Sequence, residues 1–192
     1  MKAITIWQPW ASLIACGAKK FETRSWKTDY RGPIAIHAAQ KSVESIFIEP
    51  NVLWVMREML NIENFEELPF GKIIATAELV DCLYIVNNPG TNIDIAKNIA
   101  IGAESLTNDK HHPDFGKYIV PTETEMLFGD WTPGRYAWEL ANVKMLPEPI
   151  PAKGKQGLWN WDTVTVKKHS AMGKSEISTF EFIEGAEQCL KN

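Results

Sequence analysis

Residues 72–86, KIIATAELVDCLYIV, constrain this chain more than any other stretch. They follow Gly71, contain no Gly or Pro and are rich in β-branched and apolar side chains, so they read as a strand. Residues 3–7, 21–26, 34–38, 135–146, 157–161 and 164–166 continue the strand pattern. Helical signals are fewer. Trp10, Leu13 and Ile14 repeat at helical spacing after Gln8-Pro9, with Pro9 suited to the first helical position and Gly17 suited to end the helix. A second helical stretch runs from Ser42 to Leu60 and is interrupted or kinked at Pro50. Residues 122–128 form a short third candidate. Five or six strands with helices at irregular intervals point to an α+β fold, a small mixed β-barrel with flanking helices. Regular βαβ alternation is absent, which disfavours a doubly wound parallel sheet.

Residues 1–166 read as one domain. Within it, 87–114 is polar and punctuated by Gly and Pro, and is expected to be an insertion of loops and a short helix. Residues 167–192 read as a polar linker and C-terminal tail, dispensable for folding. The N-terminus lacks a signal peptide's long apolar core, and no apolar run approaches the roughly 20 residues that span a bilayer. A cytoplasmic protein without a membrane partner is expected. Cys16, Cys82 and Cys189 fit neither a disulfide framework nor a CxxC zinc site. Adjacent His111-His112-Pro113-Asp114 has no third spaced ligand, so neither a metal nor another cofactor is expected.

The formal net charge is −4, which excludes a protein basic throughout. Yet residues 1–41 hold seven Lys or Arg against two acids, a local excess of +5. A basic face on an acidic body suits an anionic ligand, although solvated surface lysines give the same count. The segment GAKKFETRSW, 17–26, concentrates the pattern. On a strand, Lys20, Glu22 and Arg24 share one face while Phe21, Thr23 and Ser25 share the other, with Lys19 at the preceding turn. One carboxylate between cations orients them and leaves positive charge for an anion. From spacing alone this is equally a surface ion-pair ladder of little energetic weight.

Four pieces, WQPWASLIACGAKKFETRSW, RGPIAIHAA, GKIIATAELVDC and GRYAWELANVKMLPEPIPAKGKQGLWNWD, together resemble the ASCH domain family. Its G-x-K-x-x-E-x-R pattern is present as Gly17, Lys19, Glu22 and Arg24. The resemblance covers about residues 2–165. It implies a PUA-like barrel and RNA binding in a cleft that holds those motif residues. With that resemblance, 17–26 reads as the floor of a ligand cleft. Trp7 and Trp26 flank it and are candidates for stacking on unpaired bases, whereas Trp10, Trp159 and Trp161 read as core. In PAKGKQGLW, Lys153, Lys155 and Gln156 lie between or beside glycines, which lets the backbone approach a phosphate. The same segment also reads as a turn before a strand. His37 reads as a hydrogen-bonded, half-buried residue rather than a catalyst.

The resemblance also carries an enzymatic alternative, because some small family members hydrolyse N4-acetylcytidine and nuclease activity has been described for others. In the amidohydrolases a Lys, a Thr three residues later and a distant Glu form the proposed catalytic set. Lys19 matches the Lys, but Glu22 stands at the Thr position. Thr23 is one step along the strand, on the opposite face, and Glu78 does not align with confidence to the distant Glu. Lys19 and Glu22 are thus the catalytic candidates if the chain is an amidohydrolase or ribonuclease. The leading expectation is an RNA-binding module. The alternatives are this small hydrolase of a modified nucleoside, or a protein adaptor acting through 87–114 or the tail.

Overall fold

The computed structural model describes residues 1–41, 50–87, 101–105 and 116–162. Contacts divide the chain into a compact unit, Met1–Trp161, and a second, Asp162–Asn192. The first unit is an α+β fold on one mixed sheet of eight strands. They are β1 (Lys2–Ile6), β2 (Phe21–Arg24), β3 (Gly32–Ala38), β4 (Lys72–Asn87), β5 (Ile101–Ser105), β6 (Tyr118–Ile119), β7 (Tyr136–Pro151) and β8 (Leu158–Asn160). Among the described residues three α-helices accompany them: α1 (Trp10–Ala15), α2 (Pro50–Leu60) and α3 (Glu123–Leu127). No helix among the described residues is long and apolar enough to cross a membrane.

The pairing path is β2-β7-β4-β3-β1-β8, with β5 added at the far part of β4 and β6 paired to β5. Strand β4 is the spine. One edge carries β7 and the other carries β3 as far as Leu79. Beyond Leu79 that second edge would be bare, and β5 covers it from Leu83 to Asn87. Of the insertion expected at 87–114, Asn87 ends β4 and 101–105 is a strand rather than loop or helix, because a long central strand leaves backbone donors that need a partner, while the rest lies outside the described residues. The β4–β7 register shifts three times, and such bulges bend a sheet. At one shift Leu146 to Pro149 oppose Ile74 alone, so Pro147 and Pro149 sit in excess chain where a missing N–H breaks no regular ladder.

The path has two ends, and β2 does not pair with β8 among the described residues. Backbone pairing therefore leaves the sheet open where a closed barrel was expected. It is nonetheless curled: the Arg24 guanidinium on β2 donates to the Thr5 carbonyl on β1, 2.9 Å away. Ile4, Ile6, Ile14, Ile34, Ile36, Leu79 and Trp138 fill the inside of that curl. Helix α2 begins at Pro50 and packs Val52 and Met56 against Leu13, Phe65 and Phe128 in a second cluster.

Helix α1 starts one residue later than its proline suggested. Pro9 is its N-cap, and buried Gln8 accepts from the Ser12 amide and donates to the Pro69 carbonyl. Gly17, at φ +81, reverses the chain just past α1, a conformation glycine adopts without steric penalty. Cys82 is buried and Cys16 half-buried, and burial raises both thiols. The His111–Asp114 motif, Cys189 and the 167–192 tail lie outside the described residues.

Candidate functional site

The reversal at Gly17 sends Lys19 inward. Its amide returns to the Leu13 carbonyl, and its side chain is 1% exposed. The ammonium donates to the carbonyls of Phe21 and Phe128 and lies 3.6 Å from Glu22 Oε2. Burial pushes this lysine below its usual range, against the pull of the Glu22 and Glu125 carboxylates. Glu22 Oε1 is 2.9 Å from Arg24 Nη2, which also donates to Thr5. Lys19, Glu22, Arg24 and Thr5 thus form one chain of contacts from the interior to the surface of β1. Thr23 Oγ1 accepts from the Asp130 amide. Lys20 is exposed, and its amide donates to buried Glu125, whose carboxyl is raised chiefly by burial.

Beside Arg24 lies an open cleft of about 1120 Å³. Arg24, Lys41, Lys153 and Lys155 supply its cations, Trp7 and Trp26 its aromatic walls, and among the described residues no Asp or Glu lines it. Trp7 is 43% exposed, with the Lys41 ammonium 5.8 Å from its ring centre. Trp26 is held edge-on against buried Trp138, ring centres 4.5 Å apart. Lys155 lies 6.0 Å from the Trp159 ring, and Gln156 completes this side. Gly154 lies flush on the floor: a Cβ there would come within 2.5–2.9 Å of His37 Cε1, His37 Nδ1 and Thr5 Oγ1.

The structure therefore brings Trp7, Arg24, Trp26, Lys153, Lys155 and Gln156 to one cleft from opposite ends of the sequence. Lys19 is interior and Lys20 is outside the lining. Glu22 lines a smaller hollow of about 350 Å³ on the other side of Trp7 and Arg24, together with Trp10, Asp130 and Arg135. Sequence reasoning passed over Thr5 and the individual position of Lys41. Period-2 counting back from Trp7 reaches Thr5, so that signal was available. His37 is deeper than the half-buried state expected of it, at 1% exposure, with Nε2 3.0 Å from the Ala152 carbonyl.

The profile of the ASCH domain matches residues 4–150, most of the chain. The chain belongs to the ASCH domain family. Human activating signal cointegrator 1 is 33% identical over 81 residues, 42% of this chain and 14% of that protein. Its mouse counterpart is 32% identical over 81 residues, with the same coverage. This chain thus spans about a seventh of those relatives' length. The matched range of this ASCH domain includes β1 from Ile4 onward, the Lys19–Arg24 chain, His37 and Lys41, and it stops just before the Pro151–Gly157 strip that forms the facing wall.

Proposed function

We propose that this ASCH domain binds nucleic acid, with single-stranded or looped RNA as the preferred class, in the large cleft. The observation that carries the reading is its lining: among the described residues, four cations and two tryptophans with no carboxylate. Lysines at the rim neutralise phosphates and release counterions, while an exposed indole offers a platform to an unpaired base. In this reading the motif residues divide their work. Arg24 faces the ligand, and Lys19 and Glu22 hold Arg24 in place from behind. We also read the curled sheet as a version of the PUA-like barrel that the family resemblance implies; the Arg24–Thr5 bond between its two sides supports this.

The hydrolase alternative has less support. It needs Lys19 and Glu22 at a substrate, whereas the Lys19 ammonium is already engaged by two carbonyls and a carboxylate. The adaptor reading rests on 87–114 and the tail, which lie almost wholly outside the described residues.

The test is fluorescence anisotropy with a short labelled RNA across a salt series, with mass analysis of the recovered RNA. Wild type should bind in a salt-dependent way and return the RNA intact. Lys153→Ala/Lys155→Ala should weaken binding and flatten the slope of log K against log salt concentration by about 1.4, since each phosphate neutralised on a single strand accounts for about 0.7 of that slope. An unchanged slope in that variant would remove the cleft as the binding surface. Cleaved or deacylated RNA would favour the hydrolase.

A further inference from the structure

The cleft's rim and its floor differ in chemistry. The rim lysines suit phosphate. The floor is built by Thr5 and His37, which face each other across the parallel β1–β3 pair, and it is overlaid by Gly154. His37 Nε2 lies against the Ala152 carbonyl, which can only accept, so Nε2 carries the hydrogen. Burial holds the imidazole below its ordinary range and so favours the neutral ring, whose Nδ1 is then an acceptor. That Nδ1 is buried and has no hydrogen-bond partner among the described residues. Arg24 Nε, a donor on the same cleft wall, is likewise buried and unpartnered. Thr5 Oγ1 accepts from Trp159 Nε1 at 3.2 Å, which leaves its own hydroxyl hydrogen to donate.

Unpartnered buried polar groups are destabilising, so a cleft whose lining retains both an acceptor and a donor calls for a ligand that supplies their complements. Phosphate does not qualify for Nδ1, because its oxygens only accept. A nucleobase edge does, since it sets an N–H beside a ring nitrogen or carbonyl oxygen. Gly154 is what allows the strip to lie this close, because any side chain there would occupy the space beside Nδ1.

We propose that the cleft floor is a base-edge subsite, in which His37 Nδ1 accepts an N–H from one unpaired nucleobase while Arg24 and Thr5 donate to its acceptors. This rests on the nucleic-acid reading above and adds to it a division of labour. Lys41, Lys153 and Lys155 hold the backbone, Trp7 stacks, and His37 reads.

The experiment compares two labelled single-stranded RNAs of about eight nucleotides, within the site sizes such grooves take. One carries natural bases. The other carries apolar base isosteres, which stack but cannot hydrogen-bond. Wild type should prefer the natural oligomer by about tenfold, the scale of one good base-edge contact. His37→Phe keeps a ring against Trp159, from which His37 now sits 5.7 Å centre to centre. It should lose that preference and keep both the salt slope and the affinity for the isostere oligomer. Gly154→Ala, on the surface strip, gives a second variant should His37→Phe fold poorly, and it should lose the preference too. Absence of any preference in wild type, or its survival in a folded variant, overturns the subsite while leaving salt-dependent binding in place. Failure of both oligomers to show salt-dependent binding overturns the nucleic-acid reading itself, and the subsite with it.

Discussion

Lys19 and the pair Lys153 and Lys155 are the same residue in opposite circumstances. Lys19 sits within the interior, its ammonium saturated by two carbonyls and a carboxylate. Lys153 and Lys155 stand on an exposed strip, where a lysine's charge stays in water and its stem lies along the surface. The first stabilises the protein through contacts that hold only while it remains buried. The second pair stabilises little and is available to a ligand. A basic residue in a recognisable motif is therefore not by that fact a ligand contact. The path of the chain before it, here the turn at Gly17, decides which kind it becomes.

That contrast can be broken most sharply at Lys19. Lys19→Ala removes one partner of a buried ion pair and leaves the carbonyls of Phe21 and Phe128 without their donor. It should destabilise the fold by about 3–5 kcal/mol in urea unfolding. Any loss of RNA affinity in this variant should follow the unfolded fraction and leave the salt slope of the folded protein unchanged. A flattened slope with intact stability would place Lys19 with the rim lysines instead.

Trp7→Ala sharpens the other side of the comparison. The indole is largely outside the core, so thermal stability should stay within about 0.5 kcal/mol of wild type. Affinity for single-stranded RNA should fall by about 1–3 kcal/mol, the range for removing one stacking platform. Unchanged affinity would exclude stacking at this wall.

The smallest effect concerns His37. Its folded pKa is lowered from 6.5 by burial, so the unfolded chain binds more protons below that value. The stability of the neutral ring is fully present above pH 6.5 and is lost as pH falls from there through the folded pKa. Glu125 works with the opposite sign. Its folded pKa is raised above 4.5, so its contribution is present below 4.5 and is lost as pH rises through the folded value. The difference between wild type and His37→Phe, measured by urea unfolding across this range, isolates the histidine. Wild type should lose more stability on acidification than the variant. Parallel pH profiles would mean that the ring is not held neutral.

Much of this fold can be read from neighbours in sequence. Alternation marks β2, β3, β4 and β7 to within a few residues, although β7 runs on to Pro151 past two prolines. The glycine after α1 and the Thr122 cap of α3, which accepts from the Glu125 amide, are likewise local signals. The charge excess of the first 41 residues and the four family segments are legible too, because they are properties of strings. What escaped the string was long-range. Residues 101–105 form a strand because β4 extends past its β3 partner and exposes an edge, which no local propensity encodes. His37 becomes a buried acceptor only because β3 lies parallel to β1 and Gly154 folds back onto both. Lys19 becomes interior only once Phe128 delivers a carbonyl from 109 residues away. Sequence determined most of the strands and which residue types were at hand. Register and burial decided which of those charges meet each other and which meet the cleft, because the cost of a buried polar group depends on partners that only the folded chain assembles.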